Sequence, residues 1–329
     1  MKDRVEVLYL LRGLPGFGHV TPALAISKEL AEKQISQVFL TYSNGIDKLT
    51  PIVERVNLYD IKQPEKTKNR VPWKDMIECA RDVIPIVDRL DPKVIVVDGE
   101  FDGVFLLKRR YPNKKLALVT VNHYLEMNFG KYEEYKPLLT EAIKQADIVF
   151  VHGIEKPTVK FPNAMFVGPL ISPVEITGSD PNRVAIVMSP STDKEVLDFA
   201  KRLGMRLSKG GYDVDLLGRM ESGWKLAENT LEYLKHASLV ISSGGLTILG
   251  EAYGLGRQSL VLHDNNDEEK RRNALAIQRL GYGKALDVGK VDIDNAFENA
   301  KKLIRNQKGM AQHSTGTSQA VKVIVKLLS

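Results

Sequence analysis

Two serines and two glycines, Ser242-Ser243-Gly244-Gly245, end the apolar run Leu239-Val240-Ile241, and a helical pattern opens at Leu246 carrying Thr247 and Glu251. A buried strand that stops in glycines and starts a helix leaves backbone N–H groups without partners at its tip. The positive end of the helix dipole points the same way, so the turn is a site for an anion and for phosphate in particular. A second apolar run, Ser259 to Leu262, leads into His263-Asp264-Asn265-Asn266-Asp267 and then a helix carrying Asn273. The ends of two neighbouring strands are expected to grip one phosphorylated, hydroxyl-rich ligand.

Another candidate lies near the N-terminus, where Gly13-Leu-Pro-Gly16-Phe-Gly18-His19 breaks an apolar run from Val5 to Leu11. Its glycines match neither the dinucleotide spacing G-x-G-x-x-G nor a P-loop, which would also need Lys-Ser/Thr. His19 either caps the following helix or faces the open end of a sheet. The helix dipole disfavours imidazolium there, so a neutral ring able to accept a proton is the second reading. Asp98, Glu100 and Asp102 follow the run Val94 to Val97 and offer an acceptor-binding or basic role, or simply a structured loop. His123, His152 and His263 also follow apolar runs. No His or carboxylate spacing argues for a bound metal, and neither a metal nor a cofactor is expected.

To hold these loops, the chain must supply strands that all end on one side. Strands are expected at Val5–Leu11, Val38–Tyr42, Leu58–Ile61, Val94–Asp98, Leu116–Val121 and Ile148–Val151, with helices near Thr21–Lys33, Asp75–Leu90, Val104–Tyr111 and Pro137–Gln145. The polar stretch Lys62–Trp73 reads as a mobile loop. Residues 169–182, rich in glycine and proline, read as a linker, after which the alternation restarts with Val184–Met188, Lys194–Leu207 and Asp213–Leu217. Alternating strands and helices imply parallel βαβ units, and two sets imply two doubly wound sheets. The expected division is an N-terminal Rossmann-like domain over 1–168 and a C-terminal ligand-binding domain over 183–329. The apolar helical segment Ser318–Leu328 is expected to return to the first domain.

Composition sets outer bounds. With 329 residues the chain can bury two cores. A formal charge of +6 suits phosphate ligands or anionic surfaces but is too small to indicate nucleic acid. The solitary Cys79 excludes an internal disulfide and suits a reducing cytosol. No signal peptide or run of about 20 apolar residues is visible, so the expectation is a cytoplasmic protein, at most peripheral at the inner face of a membrane. The basic group Lys108-Arg109-Arg110 with Lys114-Lys115 reads either as a solvated face or as such a peripheral contact.

Gly16-Phe-Gly18-His19-Val-Thr-Pro22-Ala-Leu-Ala25 resembles the first motif of the MurG-like GT-B glycosyltransferases of family 28. Ser243-Gly-Gly-Leu-Thr247, with Glu251-Ala252, Gly256 and the later Asn273-Ala274, resembles that family's C-terminal sugar-nucleotide motif. Asp98-Gly-Glu100-Phe101 and Asn122-His123 resemble a group of largely archaeal, uncharacterised relatives. The resemblance implies two Rossmann-like domains facing across a cleft. It also implies transfer of a sugar from a nucleotide-diphosphate donor, expected to be a UDP-sugar, to a hydroxyl of a glycan or lipid-linked acceptor such as a cell-envelope glycan.

By position, His19 or Glu100 would be the base of an inverting, metal-independent displacement, with Gly16, Gly18, Asp98 and His123 in acceptor-side loops. Gly244, Gly245 and Thr247 would hold the diphosphate and Glu251 the ribose. Asn273, with Glu268 or Glu269, would contact the sugar. The chain departs from the pattern twice. Its turn Met188-Ser-Pro-Ser191-Thr192-Asp193 lacks the usual glycines, so Ser191 and Thr192 hydroxyls would replace backbone donors. Asp267 to Arg272 also lacks the usual Gln. The alternatives are a nucleotide-sugar 2-epimerase of the same fold and a non-catalytic nucleotide-sugar-binding subunit.

Overall fold

A computed structural model describes residues 5–11, 20–42, 57–61, 83–99, 101–121, 136–172, 178–189, 192–218, 223–225, 230–306 and 315–329. In chain order the first elements are β1 (Val7–Leu11), α1 (Val20–Glu32), β2 (Gln37–Tyr42), β3 (Asn57–Ile61), β4 (Val94–Asp98), α2 (Phe101–Arg110), β5 (Lys115–Val121), α3 (Lys136–Gln145), β6 (Ile148–His152) and β7 (Ala164–Phe166). They are followed by β8 (Asp180–Val187), α4 (Lys194–Lys209), β9 (Asp213–Leu217), α5 (Thr230–His236), β10 (Ala237–Ser242), α6 (Leu246–Gly254) and β11 (Gln258–His263). The chain ends with α7 (Glu268–Arg279), β12 (Gly283–Asp287), α8 (Ile293–Arg305) and α9 (Thr317–Leu328). A further helical stretch covers 83–90.

These elements form two compact units, one of Met1–Ser172 with Gly316–Ser329 and one of Pro173–Thr315. In the first, seven parallel strands run in the order β3-β2-β1-β4-β5-β6-β7. The central strands are buried on both faces, which is why each reads as a nearly unbroken apolar run. Leu8, Leu10, Leu40, Ile95 and Val97 pack one face against Val104 and Leu107 of α2 and Leu139 and Ile143 of α3. On the other face Val7, Tyr9, Phe39 and Val96 meet Ala23, Ile26 and Leu30 of α1 and Ala320, Val321 and Ile324 of α9. Tyr9 stacks on Phe39 with ring centroids 4.4 Å apart. Its hydroxyl reaches Gln37 Oε1 at 2.8 Å, and Gln37 Nε2 in turn donates to the Ser27 carbonyl at 3.0 Å.

The second unit carries five parallel strands ordered β12-β11-β10-β8-β9. Helices α4 and α8 cover one face, through Leu197, Phe199, Leu203, Ala296, Phe297 and Ala300 over Val184, Ile186, Leu239, Ile241, Leu260 and Leu262. The α5 and α6 residues Leu231, Leu234 and Ala252 cover Ala185, Val187 and Val240 on the other. From β8 the chain turns one way to β9 and the other way to β10, β11 and β12. The order therefore reverses between β8 and β10, and in such sheets ligands sit outside the strand ends at that reversal.

Several elements differ from the sequence expectation. Helix α2 begins at Phe101, three residues before the expected Val104, directly after the turn that closes β4. Strand β8 begins at Asp180, so the last residues of the expected linker are already paired with β10. The short β7, the polar edge strand β12 and helix α8 carry no expectation from the sequence. The expected loop Lys62–Trp73 lies outside the described residues.

Candidate functional site

The ends of β8, β10 and β11 gather most of the polar residues singled out in the second half of the sequence. Strand β10 is buried along its whole length and delivers Ser242-Ser243-Gly244-Gly245 to the start of α6. Gly244 has φ +91°, and a Cβ there would lie 2.7 Å from the carbonyl oxygen of Lys270, so only glycine fits beneath the first turns of α7. Asn273, on α7, donates its side-chain amide to the Gly244 carbonyl at 3.0 Å and fixes the turn from that side. Gly245 is different. It caps α6 with extended backbone and no side-chain capping bond, and a Cβ there would meet nothing within 4 Å. The first helical bond described in α6 runs from Leu249 N to Gly245 O at 3.1 Å, so the preceding N–H groups have no intrahelical acceptor. A glycine with open space above it and free N–H groups beside it lets an anion approach the backbone closely.

The turn after β8 joins this one. Thr192 Oγ1 donates to Ser243 Oγ at 3.1 Å and contacts Ser189 Oγ at 3.2 Å. Asp193 follows as the N-cap of α4 but makes no side-chain capping bond to its own helix. Its carboxyl hydrogen-bonds Asp264 at the end of β11, and that contact, with burial and the Asp264 charge, holds its pKa above the ordinary value. Asp264 lies below its ordinary value: burial opposes ionisation, but the Asn266 N–H at 2.9 Å and the Asp193 bond outweigh it. Two acidic side chains thus meet between the start of α4 and the end of β11, and their interaction raises the pKa of Asp193. Lys270 stands close by, its Nζ 3.0 Å from Asp267.

Glu251 sits further along α6 and is only 7% exposed. The Thr230 hydroxyl at the start of α5 donates to its Oε2 at 3.2 Å. Burial pushes its carboxyl up to about 7, with the Thr230 bond acting in the opposite direction. A carboxyl in that state can donate as well as accept.

The other site residues named from sequence divide into four groups. Thr192, Gly244, Gly245 and Asn273 are tied together by the bonds and packing just described, and Thr247, half-buried, sits in the first turn of α6. Glu268 and Glu269 are half-buried in the first turn of α7. Glu268 is held by Arg272 at 2.8 Å and Arg271 at 3.0 Å, and the Arg272 bond above all lowers its pKa. Gly16, Gly18, His19, Glu100, His123 and Ser191 lie outside the described residues. Asp98 is buried at the end of β4, at 2% exposure. His152 is buried at the end of β6, and His263 is buried with Nδ1 3.1 Å from the Asp264 carbonyl.

Sequence reasoning did not assign Ser243, Asp193 or Asp264. The available signal was their position: each polar residue directly follows a strand end or opens a helix in a parallel sheet. Among the described residues, no group of three or more His, Cys, Asp or Glu is arranged to hold a metal ion. No described helix is long and apolar enough to cross a membrane.

No protein-family model matches the sequence. An uncharacterised glycosyltransferase of Methanosarcina mazei is 23% identical over 333 residues, with 86% of each chain aligned. Among solved structures, Acinetobacter baumannii MurG superposes with a TM-score of 0.68 at 14% identity, over 98% of this chain and 99% of that one. LpCGTa, solved in complex with UDP, superposes with a TM-score of 0.69 at 13% identity over the same shares. The resemblance carried by the two sequence motifs therefore holds at the level of architecture, and the chain has the GT-B fold found in these glycosyltransferases.

Proposed function

We propose that this protein is a glycosyltransferase that moves a sugar from a nucleotide-diphosphate donor, a UDP-sugar, to a hydroxyl of a glycan or lipid-linked acceptor. The observation that carries the reading is the Gly244–Gly245 turn at the strand-order reversal, open above Gly245 and leading into α6. In this reading the diphosphate rests on the first N–H groups of α6. The helix dipole and those donors stabilise the departing nucleoside diphosphate as charge develops on it, so the step proceeds without a metal or other cofactor. Thr247 adds a hydroxyl, Glu251 reads the ribose, and Asn273 with Glu268 or Glu269 of α7 contacts the sugar. Transfer is by direct displacement with inversion, with His19 or Glu100 as the base. The similarity to named glycosyltransferases, one of them holding UDP, supports both the reaction and the donor. The protein acts in the cytoplasm, where its acceptor is a cell-envelope glycan presented at the inner membrane face, and nucleic acid is not a partner.

The test supplies labelled UDP- and GDP-sugars with a membrane extract and follows transfer. Label is expected in an acceptor from a UDP-sugar, with transfer reduced at least tenfold by His19→Ala or Glu100→Gln. Failure of every donor to bind, together with unchanged behaviour of both variants, would sink the proposal. Turnover of a UDP-sugar without any acceptor would replace it with an epimerase.

A further inference from the structure

Three hydroxyls at the ends of β8 and β10 form a chain whose direction follows from counting protons. Each hydroxyl has one proton to give and can also accept. Thr192 gives its proton to Ser243, so in the contact between Ser189 and Thr192 the donor is Ser189. Ser243 accepts from Thr192 and finds no acceptor for its own proton among the described residues. The residue is 4% exposed, and a buried donor left unmatched is costly. Thr192, the middle member, is buried as well, at 7% exposure. Donation running Ser189 to Thr192 to Ser243 polarises the last O–H, which suits an anionic acceptor. That O–H belongs to the residue directly before Gly244, at the mouth of α6.

We propose that Ser243 donates a hydrogen bond from its hydroxyl to a phosphate oxygen of the nucleotide donor and that Thr192 is the positioning residue that aims it. The inference rests on the donor reading above and adds to it how this chain manages without glycines after β8. A side-chain relay from that turn supplies the donor that backbone N–H groups would otherwise provide. Ser243 touches the ligand, whereas Thr192 acts only through Ser243.

The experiment measures binding of UDP and of uridine, which lacks the phosphates, to the full chain by calorimetric competition. Ser243→Ala is expected to weaken UDP about tenfold or more and Thr192→Val about fivefold, with uridine unchanged in both. Thr192→Ser should restore UDP binding. The double variant Thr192→Val with Ser243→Ala should bind UDP no more weakly than Ser243→Ala alone. Equal losses for UDP and uridine, a double variant that loses the product of the two effects, or Thr192→Val binding UDP as wild type would each overturn the relay. Should Thr192→Val not fold, the ratio of UDP to uridine binding in Ser243→Ala decides alone. Wild type that binds no nucleoside diphosphate at all would remove the donor reading as well as the relay, whereas intact UDP binding in every variant removes only the relay.

Discussion

Glu251 is a side chain whose surroundings conflict with its charge. It is buried in the second unit with, among the described residues, one hydroxyl partner, and burial pushes its carboxyl up to about 7 from the ordinary 4.5. Between those two values the folded protein keeps a proton that the unfolded chain has released. Stability is therefore lost as pH rises through this window, by on the order of 3 kcal/mol in total. Asp264 works in the opposite sense, since its pKa is lowered on folding and its contribution disappears as pH falls. Comparing Glu251→Gln with wild type isolates the first effect. The amide keeps an oxygen for Thr230 and has no charge to bury, so the variant should match wild type near pH 4.5 and exceed it by about 3 kcal/mol at pH 8. Urea unfolding across that range provides the check, and a difference that does not change with pH would show that Glu251 is ionised in the native state.

Helix α9 shows how an element far along the chain can belong to the start of it. Ala320, Val321 and Ile324 are fully buried in the core that contains Tyr9, Phe39 and Ile26. Thr317 Oγ1 donates to the Ile171 carbonyl at 2.7 Å and Gly316 N to the Pro169 carbonyl at 2.8 Å, which anchors the start of the helix. Removing three carbons from Ile324 by Ile324→Ala should cost about 2–5 kcal/mol, because the close-packed core around it relaxes only partly into the gap. Hydrogen exchange in mild urea should show the loss in peptides from β1, β4 and α1, and a uniform loss extending equally to β10–β12 would contradict this assignment. Elements of this kind were legible in the sequence where a stripe or a run was unambiguous: α9 by its helical spacing, β1, β4 and β10 as apolar runs. Strand β7 was not, being three half-buried residues, and neither was β12, an edge strand whose Gly283-Lys-Ala-Leu-Asp287 mixes polar and apolar residues. The glycine turn at Gly244 was legible because strand, glycines and helix are contiguous. The Thr192–Ser243 and Asp193–Asp264 contacts were not, because they exist only once β8, β10 and β11 lie side by side.

Across the whole molecule, the second unit interrupts the first: the chain leaves after Ser172 and returns at Gly316. Each unit has its own sheet and its own apolar clusters, with Leu8, Ile95 and Leu118 in one and Ile186, Leu239 and Phe297 in the other. Two cores of this kind can open separately, so a ligand that binds one unit stabilises that unit first. All of the residues that the donor reading assigns to the nucleotide, from Thr192 to Asn273, lie in the second unit. Adding UDP at about 100 times its dissociation constant should stabilise that unit by about 2.7 kcal/mol. Hydrogen exchange should then slow in peptides covering β10 and the start of α6, the Ser189–Asp193 turn and the Asp264–Lys270 turn. Peptides of β1, β4 and β5 should exchange as they do without nucleotide. Protection concentrated in the first unit would move the nucleotide away from the Gly244–Gly245 turn. Protection spread evenly over both units would mean that the two cores open as one, and the separation of the molecule into independent halves would fail with it.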